Sequence, residues 1–231
     1  MKKGSSFIKI AIAFILFIGF VFSGSSLETK AATKKAKITQ KTYKGKKFLK
    51  YPKVSGINKT AAKKINATIN NAVKKSYRSY QGVMKMQKEA QKNGYCNSPC
   101  KYYYNVKYKV KYNTNGKLSI YYYDSAYTGG AHSNGYATVY NFNLSTGKQY
   151  KINDILKKSA NYKKVQKYAY NYLSKHKPYK YFVRQLSAVQ VNKNTQFSFA
   201  KNGIYLVFQE YEVASYADGT PFIKIPSSVY K

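Results

Sequence analysis

The sequence predicts an α+β protein, in which a long N-terminal helix and an antiparallel β-meander are followed by a smaller helix-plus-hairpin half. Three observations carry this. From Ala61 to Met84 the apolar positions fall three, four or seven apart, which is the spacing of one helical face. From Tyr102 to Tyr112 they alternate strictly, which is the period of a half-buried strand. The last third then repeats the plan, a helical stripe first and short strands after it.

The elements follow in chain order. Residues 32–47 begin with a Lys/Thr-rich stretch that has nothing large to bury, so ordered structure is expected from about Ile38. Phe48–Val54 reads as an extended segment, which Pro52 confines to a sheet edge or a strand end because proline donates nothing to a ladder. Asn58 is the expected N-cap of a helix over Lys59–Lys92, and Asn93-Gly94 its stop. In the strand after it, Tyr102, Tyr104, Val106, Tyr108, Val110 and Tyr112 form one face. Tyr103, Asn105, Lys107, Lys109 and Lys111 form the other. Asn113-Thr114-Asn115-Gly116 is a hairpin turn, Lys117–Tyr127 the return strand and Gly135–Leu144 a third strand. Val165, Tyr168, Ala169, Tyr172 and Leu173 mark the second helix; Phe197–Ala200 and Ile204–Phe208 flank the turn Lys201-Asn202-Gly203; Phe222–Ile225 ends at Pro226 as a last strand.

Charge and composition narrow the function classes. The 231 residues hold 42 Lys+Arg against 7 Asp+Glu, for a formal charge of +35, and 44% are hydrophobic with 27 Tyr and no Trp. So much apolar surface excludes a disordered basic tail. Residues 1–31 read as a signal peptide: Lys2 and Lys3 precede the apolar run Ile10–Phe22, too short to span a bilayer, and Thr29-Lys30-Ala31 offers a cleavage site after Ala31, with Ser23-Gly24-Ser25 as a second. Removing them leaves 38 basic and 6 acidic groups, about +32. The expected chain is thus secreted, with an N-terminal half over 32–149 and a C-terminal half over 150–231. Outside the cytoplasm the pair Cys96 and Cys100 is expected as a disulfide, since a zinc site needs two more ligands and neither His132 nor His176 stands at a metal-motif spacing. No cofactor or metal is expected.

Two segments could carry chemistry. In Tyr121–Asn134, Gly129 and Gly130 allow a sharp turn that presents His132 from a loop, with Asp124 as a candidate orienter and Tyr127 beside it; the alternative is a hydrogen-bonded histidine that fixes the loop. In Glu210–Gly219, Glu210 and Glu212 at i and i+2 would share one face of an extended chain at ~6.6 Å; the alternative is pairing with lysines. Tyr216 belongs to the same segment. The leading expectation is a non-catalytic binding module; in the alternative, an enzyme acting on wall glycan, His132, Asp124 and Glu212 are the catalytic candidates. Lys107, Lys109 and Lys111, with Tyr127, Gly129, Gly130, His132 and Tyr216, are the binding candidates.

The string Tyr127-Thr128-Gly129-Gly130-Ala131-His132, then Tyr140–Lys148, Ile152–Leu156, Gly203–Gly219 and Ile223–Pro226, resembles the extracellular domain of RsiV-type anti-sigma factors and the domain that precedes the catalytic module in PdaC-type peptidoglycan deacetylases. The likeness runs over about residues 38–228. It implies an α+β module of Gram-positive bacteria, secreted or tethered at the cell wall, and in the anti-sigma branch one that recognises lysozyme. With nine residues before the apolar run and only Lys231 beyond the unit, the expectation is the recognition module alone. Its expected partners are anionic wall polymers, teichoic acid and peptidoglycan, with lysozyme as an alternative and no specific nucleic acid.

Overall fold

The computed structural model describes residues 35–96 and 100–231. The expected signal peptide over 1–31 lies outside the described residues, and no helix among them is long and apolar enough to cross a membrane. The described residues belong to one compact unit.

A hairpin of β1 (Lys37–Tyr43) and β2 (Lys46–Ser55) leads into α1 (Lys59–Lys92), and β3 (Tyr103–Thr114), β4 (Lys117–Tyr127) and β5 (Asn134–Asn143) form the meander. The Asn58 side chain accepts a hydrogen bond from the Ala61 amide at 3.1 Å, so α1 starts where the cap predicts, and it ends at Asn93 before Gly94. β2 pairs antiparallel with β1 along its length but meets β3 in parallel only at Leu49↔Val106. Pro52 thus sits three residues beyond the only bridge to β3, where no ladder needs its missing N–H. After β6 (Gln149–Tyr150) come α2 (Ile152–Leu156), a turn of helix that the sequence pattern does not reveal, and α3 (Ser159–Leu173). β7 (Gln196–Ala200), β8 (Gly203–Val207) and β9 (Phe222–Pro226) make a second, three-stranded antiparallel sheet beside the six-stranded β1–β6 sheet.

Period-2 alternation decides what each face covers. Leu118, Ile120, Tyr122 and Phe142 point to α1, where Ile65, Ile69 and Val73 are buried. Residues one step out of phase, Tyr121, Tyr123, Ala137 and Val139, meet Val207 and Phe222 of the second sheet. That sheet turns its other face, Phe197, Phe199, Leu206 and Ile225, to Val165, Ala169 and Leu173 of α3.

β3 departs from strict alternation. Near the turn it pairs Asn113↔Leu118 and Tyr112↔Ser119, but further on it pairs Val110↔Ile120 and Tyr108↔Tyr122, so Lys111 is an extra residue. The turn Asn115-Gly116 fixes one register and the apolar face fixes another, and a β-bulge reconciles them. Tyr112, expected beside Tyr104, is therefore turned to the opposite face, where its ring lies 6.0 Å from Phe199.

Cys96 and Cys100 form the expected disulfide between the end of α1 and the start of the meander.

Candidate functional site

The lysines of β3 stand on the face of the meander turned away from α1, and β4 places tyrosines directly beside them. Lys107 is opposite Tyr123, Lys109 opposite Tyr121, and Tyr103 opposite Tyr127. One strip thus runs from Tyr103 to Lys111, about 27 Å at ~3.4 Å per residue. At its far end the Tyr103 and Tyr127 rings stack at 5.4 Å, and Tyr127 donates through its hydroxyl to the Gly130 carbonyl at 2.9 Å. At the near end a groove of about 320 Å³ opens between Lys109, Lys111, Tyr121, Tyr123, Glu210 and Phe222.

The C-terminal half supplies the groove's other wall. Tyr123 donates to the Glu210 carboxylate, and Tyr121 donates to Thr220 Oγ1 at 2.9 Å. Burial and the Glu210 partnership push the Tyr123 hydroxyl well above its ordinary range, so it stays protonated as a donor. Lys111 Nζ lies 4.0 Å over the Phe222 ring; partial burial, with Lys109 nearby, draws its pKa down. The close approach of Tyr123 depends on Gly135, where a Cβ would overlap its hydroxyl.

The two sequence segments singled out above meet beside this groove. His132 stacks on Tyr216 with ring centroids 3.9 Å apart, and Tyr216 shares a 3.2 Å hydrogen bond with Ser133 Oγ. His132 Nδ1 lies 3.0 Å from the Ser133 carbonyl, which only accepts, so in the neutral ring Nδ1 carries the proton and Nε2 accepts from the Tyr211 hydroxyl at 3.0 Å. Gly129 and Gly130 both have φ of +97°, which lets the loop double back.

Two expectations about chemistry need correction. Asp124 does not orient His132: alternation sends it to the α1 face, where its carboxylate accepts from Ser76 Oγ and the Tyr104 hydroxyl, each at 2.6 Å. Burial, partly offset by these bonds, raises its pKa. Glu210 and Glu212 do not flank one site on an extended chain either. Tyr211 between them has φ of +65° in a turn, and Glu212 accepts from the Gln209 amide at 2.7 Å while Glu210 takes Tyr123. Neither His132 nitrogen meets a carboxylate, so the triad logic of a base held by an orienting acid is not built at this histidine. Among the described residues no group of three or more His, Cys, Asp and Glu is placed to hold a metal ion. What the strip and groove offer is ammonium groups, phenolic donors and ring faces.

Sequence reasoning missed Tyr123, Tyr211, Glu210 as a partner, and Gly135. A glycine inside a strand was the available signal for Gly135, since it marks a close approach.

With this geometry in view, comparisons place the chain. Residues 31–135 match the family model described as Deacetylase PdaC, and residues 147–228 match a family described as a protein of unknown function, DUF3298. The two matches follow one another along the chain, a segment similar to PdaC and then one similar to DUF3298. Solved structures described as DUF3298 family members are similar in fold: one from Bacteroides fragilis is 20% identical with a TM-score of 0.55, covering 84% of this chain and 88% of its own. Another, from Pseudomonas aeruginosa, is 14% identical with a TM-score of 0.50, covering 84% and 90%. A search of curated proteins gave no significant match. The strip lies in the PdaC-type segment, and Glu210, Tyr211, Tyr216 and Phe222 reach it from the DUF3298 segment.

Proposed function

We propose that this PdaC-type/DUF3298 protein is a secreted, non-catalytic cell-envelope module that holds an anionic wall polymer along the lysine–tyrosine strip. The observation that carries this reading is the register of β3 on β4, which sets the exposed Lys107 beside the half-buried Tyr123 and the exposed Lys109 beside the half-buried Tyr121. Ammonium groups meet phosphate or carboxylate, while the neighbouring rings and hydroxyls suit the sugars or polyols between them. A charge of about +32 after leader removal draws such a polymer in from a distance at low salt. His132 in this reading is a positioning residue that fixes Tyr216 and Tyr211.

Retention on isolated walls is the test. The variant Lys107→Gln/Lys109→Gln/Lys111→Gln should elute at lower salt than the parent and than a variant with three α1 lysines changed. Walls stripped of teichoic acid should release both. Equal retention on stripped and intact walls at low salt would end this reading.

A further inference from the structure

A second cavity shares no lining residue with the strip. It measures about 940 Å³ and lies where the β3–β4 turn, the α2–α3 corner and the β7–β8 turn come together. Five lysines line it: Lys117, Lys157, Lys158, Lys164 and Lys231. The acidic side chain on its wall is Asp154, and that carboxylate is already engaged. It accepts from Lys148 Nζ at 2.9 Å and from the Lys151 amide at 2.8 Å. Five lysines therefore line one hollow whose acidic side chain is held by a sixth.

Two further features favour an anion there. α3 begins at this wall with Lys158 in the N-cap position, no side-chain cap and no acidic residue in its first turn, so the positive end of its dipole has no negative side chain of its own. The hollow is also too large for a bare ion and has the walls of an organic site. Its floor is aromatic, with Phe199 held between Tyr112 at 6.0 Å and Tyr150 at 5.4 Å and with Lys117 Nζ 4.9 Å over its ring. Asn115, Asn161 and Asn202 add amide groups at the rim.

We infer that this cavity binds a phosphate group carried on a polyol or sugar, the lysines taking the phosphate oxygens and the asparagines and rings taking the hydroxylated chain. Ammonium groups bind phosphate as point charges, which suits lysines converging from separate elements. The site stands on its own residues and does not depend on the strip.

Glycerol 3-phosphate is the probe, titrated into the full chain by calorimetry against glycerol plus sodium chloride at equal ionic strength. The parent should bind glycerol 3-phosphate and not glycerol. Lys157→Gln/Lys158→Gln/Lys164→Gln changes three exposed side chains; it should keep the parent's melting curve and bind about tenfold more weakly. The charge-matched control Lys63→Gln/Lys74→Gln/Lys85→Gln on α1, and the Lys107/Lys109/Lys111 variant of the strip, should bind as the parent does. Unchanged wall retention of that strip variant, with glycerol 3-phosphate binding intact, would count against the strip alone. Equal weakening in the α1 control would reduce the effect to bulk charge and overturn the site. So would retention by phosphatidylglycerol vesicles that depends on Lys157, Lys158 and Lys164 with no heat from glycerol 3-phosphate, since it would assign those lysines to a lipid surface.

Discussion

The two faces of the central meander are built from the same strands and are held in different ways. Under α1, Leu118, Ile120, Phe142, Ile65 and Ile69 close a dry apolar layer. On the opposite face the second sheet is pinned largely by polar side chains. Ser119 Oγ accepts from the Phe199 amide at 2.9 Å and donates to Asn141 Oδ1 at 2.6 Å, and Asn141 donates to the Phe197 carbonyl at 2.7 Å. Gln196 accepts from the Val139 amide at 2.8 Å, and the Gln209 amide group pairs with both the N–H and the carbonyl of Ala137. Backbone groups of β5 and β7 that lack a strand neighbour are thus satisfied across the seam, which removes two sheet edges without merging the sheets. Apolar burial tolerates any direction of approach. A seam of this kind accepts one geometry, and that geometry brings Glu210 and Phe222 to the strip.

The comparison predicts unequal costs. Ile65→Ala, fully buried against the meander, should lower stability by about 2–5 kcal/mol, the range for emptying a core site. Urea unfolding measures it, and a loss below 1 kcal/mol would mean that α1 is not the principal cover of this face. Asn141→Leu should cost less, about 1–3 kcal/mol, because it strands the buried Ser119 hydroxyl and the Phe197 carbonyl while keeping the volume. Its signature is local. Amide exchange should quicken in β7 more than in α1, and uniform acceleration would show that the seam and the apolar layer open together.

How far the sequence reveals this architecture follows the same division. α1 is legible to its terminal residues because local signals, Asn58 and Asn93-Gly94, coincide with the helical stripe. β3 and β4 are legible because tyrosine and valine alternate with lysine. The bulge at Lys111 is not, since the turn and the apolar pattern each imply a register and only their conflict reveals the extra residue. α2 is one short turn without a period of its own. The site was half legible: the segments carrying His132 and Tyr216 stand out, and the structure stacks those two rings. Their partners did not, because Tyr211 with His132 and Glu210 with Tyr123 are joined across 79 and 87 residues by the seam. Asp124 was assigned to the wrong face because nearness in sequence was given more weight than alternation.

The smallest expected effect concerns Asp124, the half-buried carboxyl on the α1 face of the meander. Burial raises its pKa, and the bonds from Ser76 and Tyr104, with Lys75 nearby, oppose that rise without cancelling it. A carboxyl whose folded pKa exceeds its unfolded value stabilises the fold fully below the unfolded value, and that contribution fades as pH climbs through the folded one. Asp124→Asn keeps an oxygen to accept from Ser76 and Tyr104 but has no proton to lose. The variant should therefore match the parent most closely near pH 3.5 and gain on it as pH rises to 7, with the shift confined to the acid side of neutrality. Urea midpoints of both proteins across that window decide the matter, since other groups titrate equally in the two. If the parent gained on the variant as pH rose, the ionised carboxylate would be the favoured form in the fold, and the two hydrogen bonds, not burial, would set the balance at this site.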